Sequence, residues 1–276
     1  MMKTIIPKTQ LAYRTVNLIV LVSFFIIGCQ NEKSELDRLE QLFSGDLKII
    51  DLTHTLNNTS PYWPNAKGSP FKYDTLFAHQ SGSPGMGAYT TPEHHGTHID
   101  APIHGGDGLK SVERLTSEDL FGPAIVIDIS KQSGMNPDYT LSKSDILDWE
   151  AIHGKLPKGA IVLLYTGWSK KWTDYEAYKN EDENGKMHFP GFSEDAAHFM
   201  VDSRDIRGIG IDNMSVDAAQ AKGSPVHSIV NGSGKYQLEN VANLHLLPPT
   251  ETLLIVAPIK IQGGSGGQVR LFAVVP

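Results

Sequence analysis

Residues 94–104 read His94-His95-Gly96-Thr97-His98-Ile99-Asp100-Ala101-Pro102-Ile103-His104. Four of the chain's eleven histidines fall in this stretch, around one aspartate. Imidazole and carboxylate are ligands that divalent zinc, manganese and iron accept. His94, His98, Asp100 and His104 lie at even offsets, which in an extended segment puts their side chains on one face. A straight strand cannot gather them, because four residues span about 13 Å. Two imidazoles on one ion need their nitrogens within about 2.1 Å of it. The chain must therefore bend between His94 and His98, and Gly96, midway, is where a bend costs least. Gly96, Thr97 and Pro102 disfavour the alternative, a helix. His95 falls on the odd face and reads as a packing or supporting residue.

Outward from this stretch, short runs rich in β-branched residues recur between Gly and Pro. They lie at 47–52 (LKIIDL), 71–77 (FKYDTLF), 124–129 (AIVIDI), 160–165 (AIVLLY), 206–211, 252–258 and 269–275. They read as strands, several of them apolar on both faces and so buried on both sides. Ser142 and Asp145 form a capping box before an amphipathic helix, and Ser193 opens another helix through 203. A third is expected over 236–247, where Leu238, Val241, Ala242 and His245 have helical spacing. The intermixed elements predict an α/β fold in one domain, 46–276. The stretches 60–70, 82–87 and 263–267, rich in Gly and Pro, read as loops over a site.

The composition, 40% hydrophobic and 20% charged, is that of a globular protein with material for a core. A net charge of −7 argues against nucleic acid, whose binders show a basic patch. The N-terminus is a separate object. Lys3, Lys8 and Arg14 accompany an apolar run at 18–27 (LIVLVSFFII), too short to span a bilayer but suited to a signal-peptide core. It ends Ile26-Ile27-Gly28-Cys29, which resembles the lipobox of bacterial lipoproteins. That resemblance implies a signal peptide at 1–28, lipid on Cys29 and a polar tether at 29–45. It implies export, with the anchor in a bacterial membrane on its periplasmic or surface side. Cys29 is the single cysteine, so no internal disulfide can form.

The pattern His94-x-Gly96-Thr97-His98-x-Asp100-x-Pro102-x-His104 resembles the signature of the metal-dependent hydrolases of the cyclase family at every fixed position. That family includes bacterial kynurenine formamidases and isatin hydrolases. The similarity runs from Ile50-Asp51-Leu52-Thr53-His54 through most of the chain. It implies a layered β/β/α domain and a homo-oligomer acting on a small-molecule substrate. It further implies that His94, His98 and Asp100 hold one metal. Asp100 bridges to a second, which His227 and Glu239 complete. Zinc or manganese, two ions per chain, is the implied cofactor. His104 stays free as acid and base, and Trp63 covers the substrate pocket. Asp212, Ser215 and Asp217 resemble a family segment near the site, but are read here as a turn whose side chains bond their own backbone. His54, His79, His153, His188, His198 and His245 lack metal spacing and are expected to make ordinary hydrogen bonds.

The implied activity is hydrolysis of an aryl formamide or related amide, as in kynurenine formamidase. The metal would activate water, and His104 would protonate the departing amine. An exported enzyme meets environmental compounds, so an isatin-like cyclic amide or a lactone is the alternative. From another class, the alternative is a metal- or ligand-binding lipoprotein without catalysis, which the presence of His104 disfavours.

Overall fold

A computed structural model describes residues 40–41, 43–64 and 70–276. The expected signal peptide, Cys29 and most of the expected tether lie outside the described residues. Ile49–Pro276 is a compact unit of its own. Among the described residues, no helix is long and apolar enough to cross a membrane.

The strands are β1 (Lys48–Asp51), β2 (Lys72–Phe77), β3 (Met86–Thr90), β4 (His98–Asp100), β5 (Phe121–Asp128), β6 (Thr140–Leu141), β7 (Ile161–Tyr165), β8 (Gly191–Phe192), β9 (Gly208–Ile211), β10 (Tyr236–Glu239), β11 (Thr252–Pro258) and β12 (Gly266–Val275). The helices are α1 (Ser117–Leu120), α2 (Ser130–Met135), α3 (Lys143–His153), α4 (Tyr175–Lys179), α5 (Glu194–His198) and α6 (Pro225–Gly232). Helix α3 begins at the expected capping box: Asp145 N donates to Ser142 Oγ and Ser142 N to Asp145 Oδ2. The helix expected over 193–203 is α-helical only through His198, and then continues as a π-turn.

The main sheet runs β12-β11-β5-β7-β9-β10-β4 and returns to β12, closing a seven-stranded barrel with β1 beside β12. This corrects the layered β/β/α arrangement. The closing strand has three partners: residues 269–274 of β12 pair with β11, Gly266, Gly267 and Gln268 pair with Asp100, Ile99 and His98, and β1 lies beside it as well. Closure also pairs edges that an open sheet would leave free.

Alternation along the strands makes two cores. Ile161, Leu163 and Tyr165 join Ala124, Val126, Leu254, Val256, Ile99 and Leu238 in one buried cluster inside the barrel. Ile125, Ile127, Val162, Leu164, Ile209 and Ile211 point outward, beneath residues of α3, α5 and α6. On β9 the inward positions are Gly208 and Gly210, where a Cβ would come within 2.8 Å of Tyr236 and 2.7 Å of Leu163.

The helix expected over 236–247 is not there. Tyr236–Glu239 is strand β10, held between β9 and β4, and a 3-10 turn follows at Leu244–Leu246. Every residue of β10 is buried. Burial on both faces of a short strand, continued through Val241 and Ala242, mimics helical spacing.

Candidate metal centre

Strand β4 has three residues, so the shared even face expected for 94–104 holds only for His98 and Asp100. His94 arrives through the bend at Gly96, whose φ is +70°. His104 arrives through a 3-10 turn over Pro102–His104. Ile99 and Leu238 point into the barrel, so His98, Asp100, Gln237 and Glu239 point out of it. The antiparallel register sets Glu239 opposite His98 and Gln237 opposite Asp100. Helix α6 packs on β10 and adds His227.

The structure thus brings together all six residues singled out for metal and proton chemistry. His94 Nδ1 is 2.5 Å from Asp100 Oδ1. His98 Nε2 is 3.3 Å from Asp100 Oδ1 and 3.5 Å from Glu239 Oε2. His227 Nε2 is 3.4 Å from Asp100 Oδ2 and 3.3 Å from Glu239 Oε1. The His104 ring centroid is 4.1 Å from that of His94 and 5.7 Å from that of His227. Among the described residues, two donor sets have ligand atoms within 4.8 Å of one another: His94, Asp100 and His104, and His98, Asp100 and Glu239. Asp100 is common to both, as a bridging role requires. His94 and His98 both face Asp100 Oδ1, and His227 faces Oδ2 beside Glu239. His98 also stands near Glu239, and His104 is within reach of the His94 group.

His98 Nδ1 donates to Gly96 O at 2.8 Å, which leaves a lone pair on Nε2 when the ring is neutral. That lone pair looks onto two carboxylates. His98 Nε2 and Asp100 Oδ2 are buried without a hydrogen-bond partner. Acceptors facing acceptors in a buried site are costly unless a cation or a proton lies between them. Imidazole nitrogens and carboxylate oxygens without sulfur suit zinc, manganese or iron.

With no cation, protons take that place. Burial opposes charge on His98, but Asp100 and Glu239 lift its pKa to about 9. Burial likewise opposes charge on His227, and the carboxylates of Asp100, Asp217 and Glu239 beside it lift its pKa to about 12. Asp100, despite its burial, is held well below the usual carboxylate range by His98 and by the neighbouring His227 and His94 imidazoles. His104 moves the other way. Burial lowers its pKa, and His94 and His227 add to this against Asp100 and Glu239.

Supporting residues emerge that sequence reasoning set aside. Asp217 was expected to bond its own turn, but its Oδ2 accepts from His227 Nδ1 at 2.6 Å and its carboxylate accepts from the amides of Val226 and His227. It therefore caps α6 and aims His227 Nε2 at Asp100. Asp212 also leaves its turn, accepting from Thr166 and Ser169. Only Ser215 bonds locally, accepting from Asp217 N at 3.2 Å. Asn240 had no role assigned. With φ at 54°, it donates from Nδ2 to Gly96 O at 2.9 Å, and its carbonyl accepts from Thr97 Oγ1 at 2.7 Å, pinning the bend between the ligands. Its one sequence signal is an asparagine at a strand end, a residue that tolerates the left-handed region.

Trp63 is half-exposed and stands edge-on to Phe189. With Pro61, Tyr62 and Met214 it walls a cavity of about 260 Å³ that opens onto the histidines. His95 is buried and shares a hydrogen bond with Thr91 Oγ1, as a supporting residue would. His54 departs from the hydrogen-bonded role expected. Its ring stacks on Trp172 with centroids 4.1 Å apart, its Nε2 is buried without a partner, and burial lowers its pKa to about 4.

Residues 50–218 match the family described as "Putative cyclase". The chain is 34% identical over 251 residues to the isatin hydrolase of Roseibium aggregatum, covering 86% of this chain and 95% of that protein. It is 30% identical over 225 residues to the kynurenine formamidase of Geobacillus thermodenitrificans, covering 80% and 94%. A solved structure of isatin hydrolase A from Labrenzia aggregata bound to benzyl benzoate matches with a TM-score of 0.80 at 36% identity, covering 88% of this chain and 99% of that one. An isatin hydrolase bound to the product analogue thioisatinate gives a TM-score of 0.81 at 35% identity, covering 88% and 98%.

Proposed function

The chain belongs to the cyclase family of hydrolases, and on that premise we propose that it is a metal-dependent amidohydrolase opening an isatin-like cyclic amide. The observation that carries this reading is the buried pair His98 Nε2 and Asp100 Oδ2, both unpartnered and surrounded by further imidazoles and a carboxylate. His94, His98, Asp100, His227 and Glu239 would hold zinc or manganese, as one ion or as two sharing Asp100. When bound, the metal polarises the amide carbonyl and lowers the pKa of water.

The residues of the chain do the rest. Asp217 holds the His227 ring in place through Nδ1. His104, whose lowered pKa keeps it neutral near pH 7, takes the proton of the attacking water on an imidazole nitrogen and returns it to the departing nitrogen. Trp63, Pro61, Tyr62 and Met214 offer a wall for a flat aromatic ring, and limit water around it.

The identities of 34–36% to isatin hydrolases, against 30% to kynurenine formamidase, support a cyclic amide ahead of an aryl formamide. The aryl formamide is the second reading, on the strength of that same 30% relative. A non-catalytic binder would have no use for a neutral imidazole beside the ligands. Residues 1–28 and Cys29 are proposed as export signal and lipid anchor, and a homo-oligomer as the working assembly. The experiment loads purified protein with Zn²⁺ or Mn²⁺, counts metal per chain, and assays isatin, formylkynurenine and a simple lactone. Turnover of isatin is expected. Turnover of formylkynurenine alone selects the second reading, and metal-loaded protein inert toward all three overturns both.

A further inference from the structure

The stretch 263–267 was expected to be a loop over the site, yet it does something more specific. Ser265 sits where β12 begins, held by backbone bonds from Ala101 N to Ser265 O at 2.9 Å and from Val112 N to Gly264 O at 3.0 Å. Its Oγ is 2.6 Å from Glu93 Oε2 and 3.0 Å from His94 Nε2. Gln268 ties the same turn down, donating from Nε2 to the carbonyls of Pro92, Glu93 and His95. Gly266 leaves room for the imidazole, since a Cβ there would lie 2.6 Å from His94 Cε1.

The proton count is constrained. A serine hydroxyl has one proton, and an ionised carboxylate can only accept. Ser265 therefore donates to Glu93, and its Oγ is left to accept from His94. That bond requires the proton of His94 on Nε2. The lone pair is then on Nδ1, the nitrogen 2.5 Å from Asp100 Oδ1. A lone pair that close to a carboxylate oxygen is tenable only with a cation between them, or a proton in its absence. His98 reaches the mirror-image state by a different route, with its proton on Nδ1, donated to Gly96 O, and its lone pair on Nε2.

We propose that Glu93 and Ser265 are positioning residues that lock His94 in its Nε2–H tautomer, so that Nδ1 is the atom presented to the metal. The proposal rests on the metal-binding reading above and assigns Glu93 and Ser265 a role neither had. Neither residue touches the reacting atoms. They act through His94, as hydrogen-bond partners of ligating histidines do.

The test uses the full domain carrying ¹⁵N-histidine, with Zn²⁺ alone as the probe. Zinc affinity is measured by chelator competition, and the His94 tautomer by long-range ¹H–¹⁵N correlation in the zinc-loaded protein. In the wild type, His94 is expected to ligate through Nδ1 with its proton on Nε2. Ser265→Ala is expected to weaken zinc binding by about 10–100-fold, the usual effect of removing such a partner. Ser265→Thr, which keeps the hydroxyl, should restore it to within a few-fold. Glu93→Ala covers the case in which Ser265→Ala fails to fold. It removes the carboxylate that accepts from both Ser265 N and Ser265 Oγ, frees the serine to donate to His94 Nε2, and should weaken zinc binding in the same sense. A wild-type protein that takes up no zinc sinks the metal reading itself. Zinc bound equally by wild type, Ser265→Ala and Glu93→Ala, or His94 ligating through Nε2, overturns the tautomer lock alone.

Discussion

Glu239 and His98 face each other across the antiparallel pair β10 and β4, with Glu239 Oε2 3.5 Å from His98 Nε2. Glu239 Oε1 also accepts from Val216 N at 3.0 Å and lies 3.3 Å from His227 Nε2. One carboxylate therefore joins a strand, a helix and the connection before that helix at a single point. Glu239→Gln keeps an oxygen for Val216 N but removes the charge. Metal affinity is expected to fall at least about 10-fold, by analogy with losses from disturbed ligand shells. Unchanged affinity in a metal titration would remove Glu239 from the ligand set.

His104→Ala separates ligand from proton carrier. The His104 donor atom lies within reach of the His94 and Asp100 group, so geometry alone allows either role. Metal content is expected to stay at the wild-type level while turnover drops by about 10²–10⁴-fold, the usual contribution of a general acid–base. Loss of metal together with activity would make His104 a ligand.

The metal-free protein should respond to pH in a defined direction. His98, raised from 6.5 to about 9, and His227, raised to about 12, stabilise the fold as charged groups. A raised native pKa gives stability that is complete below the unfolded value and is lost as pH rises through the native one. The Tm of the metal-free protein is therefore expected to decline between pH 7 and 9 as His98 loses its proton. Metal uptake must displace these protons, so affinity should rise over the same interval. A metal-free Tm that is flat or climbs from pH 7 to 9, followed by calorimetry, contradicts the assignment.

Gly266 and Gly134 make a contrasting pair. A Cβ at Gly266 would lie 2.6 Å from the Ile99 carbonyl oxygen and from His94 Cε1, whereas nothing lies within 4 Å of one at Gly134 in α2. Gly266→Ala is expected to cost about 1–3 kcal/mol, as overpacking does, and to weaken metal binding. Gly134→Ala should be neutral or slightly stabilising, because alanine is the better helix former. Equal unfolding midpoints for the two variants would mean that barrel closure tolerates a side chain at Gly266.

Cys29→Ser addresses the anchor. Expressed from its own leader in a bacterial host, the wild type is expected in the detergent phase of a Triton X-114 partition, and the variant in the aqueous phase. Partition of both into the same phase would count against lipid on Cys29.

The sequence by itself determined the chemistry. Residues His94, His98, Asp100 and His104 are local, and their spacing around Gly96 already required the bend that the structure shows with φ +70°. The strand runs were legible too, because burial on a pleated sheet leaves β-branched residues in short blocks between turns. Strand pairing leaves no such local mark. Whether a sheet closes depends on which distant segment meets its edge, and nothing near Gly266 states that it pairs with Asp100. The same long-range register turned 236–239 from an expected helix into strand β10 and set Glu239 against His98. Asp217, Asn240, Ser265 and Glu93 acquired their roles in the same way. Each is an ordinary polar residue until a neighbour well removed in sequence supplies the hydrogen-bond partner. Tertiary structure alone decided which buried nitrogens and oxygens face one another across the site, because only long-range pairing sets β10, β4 and α6 side by side.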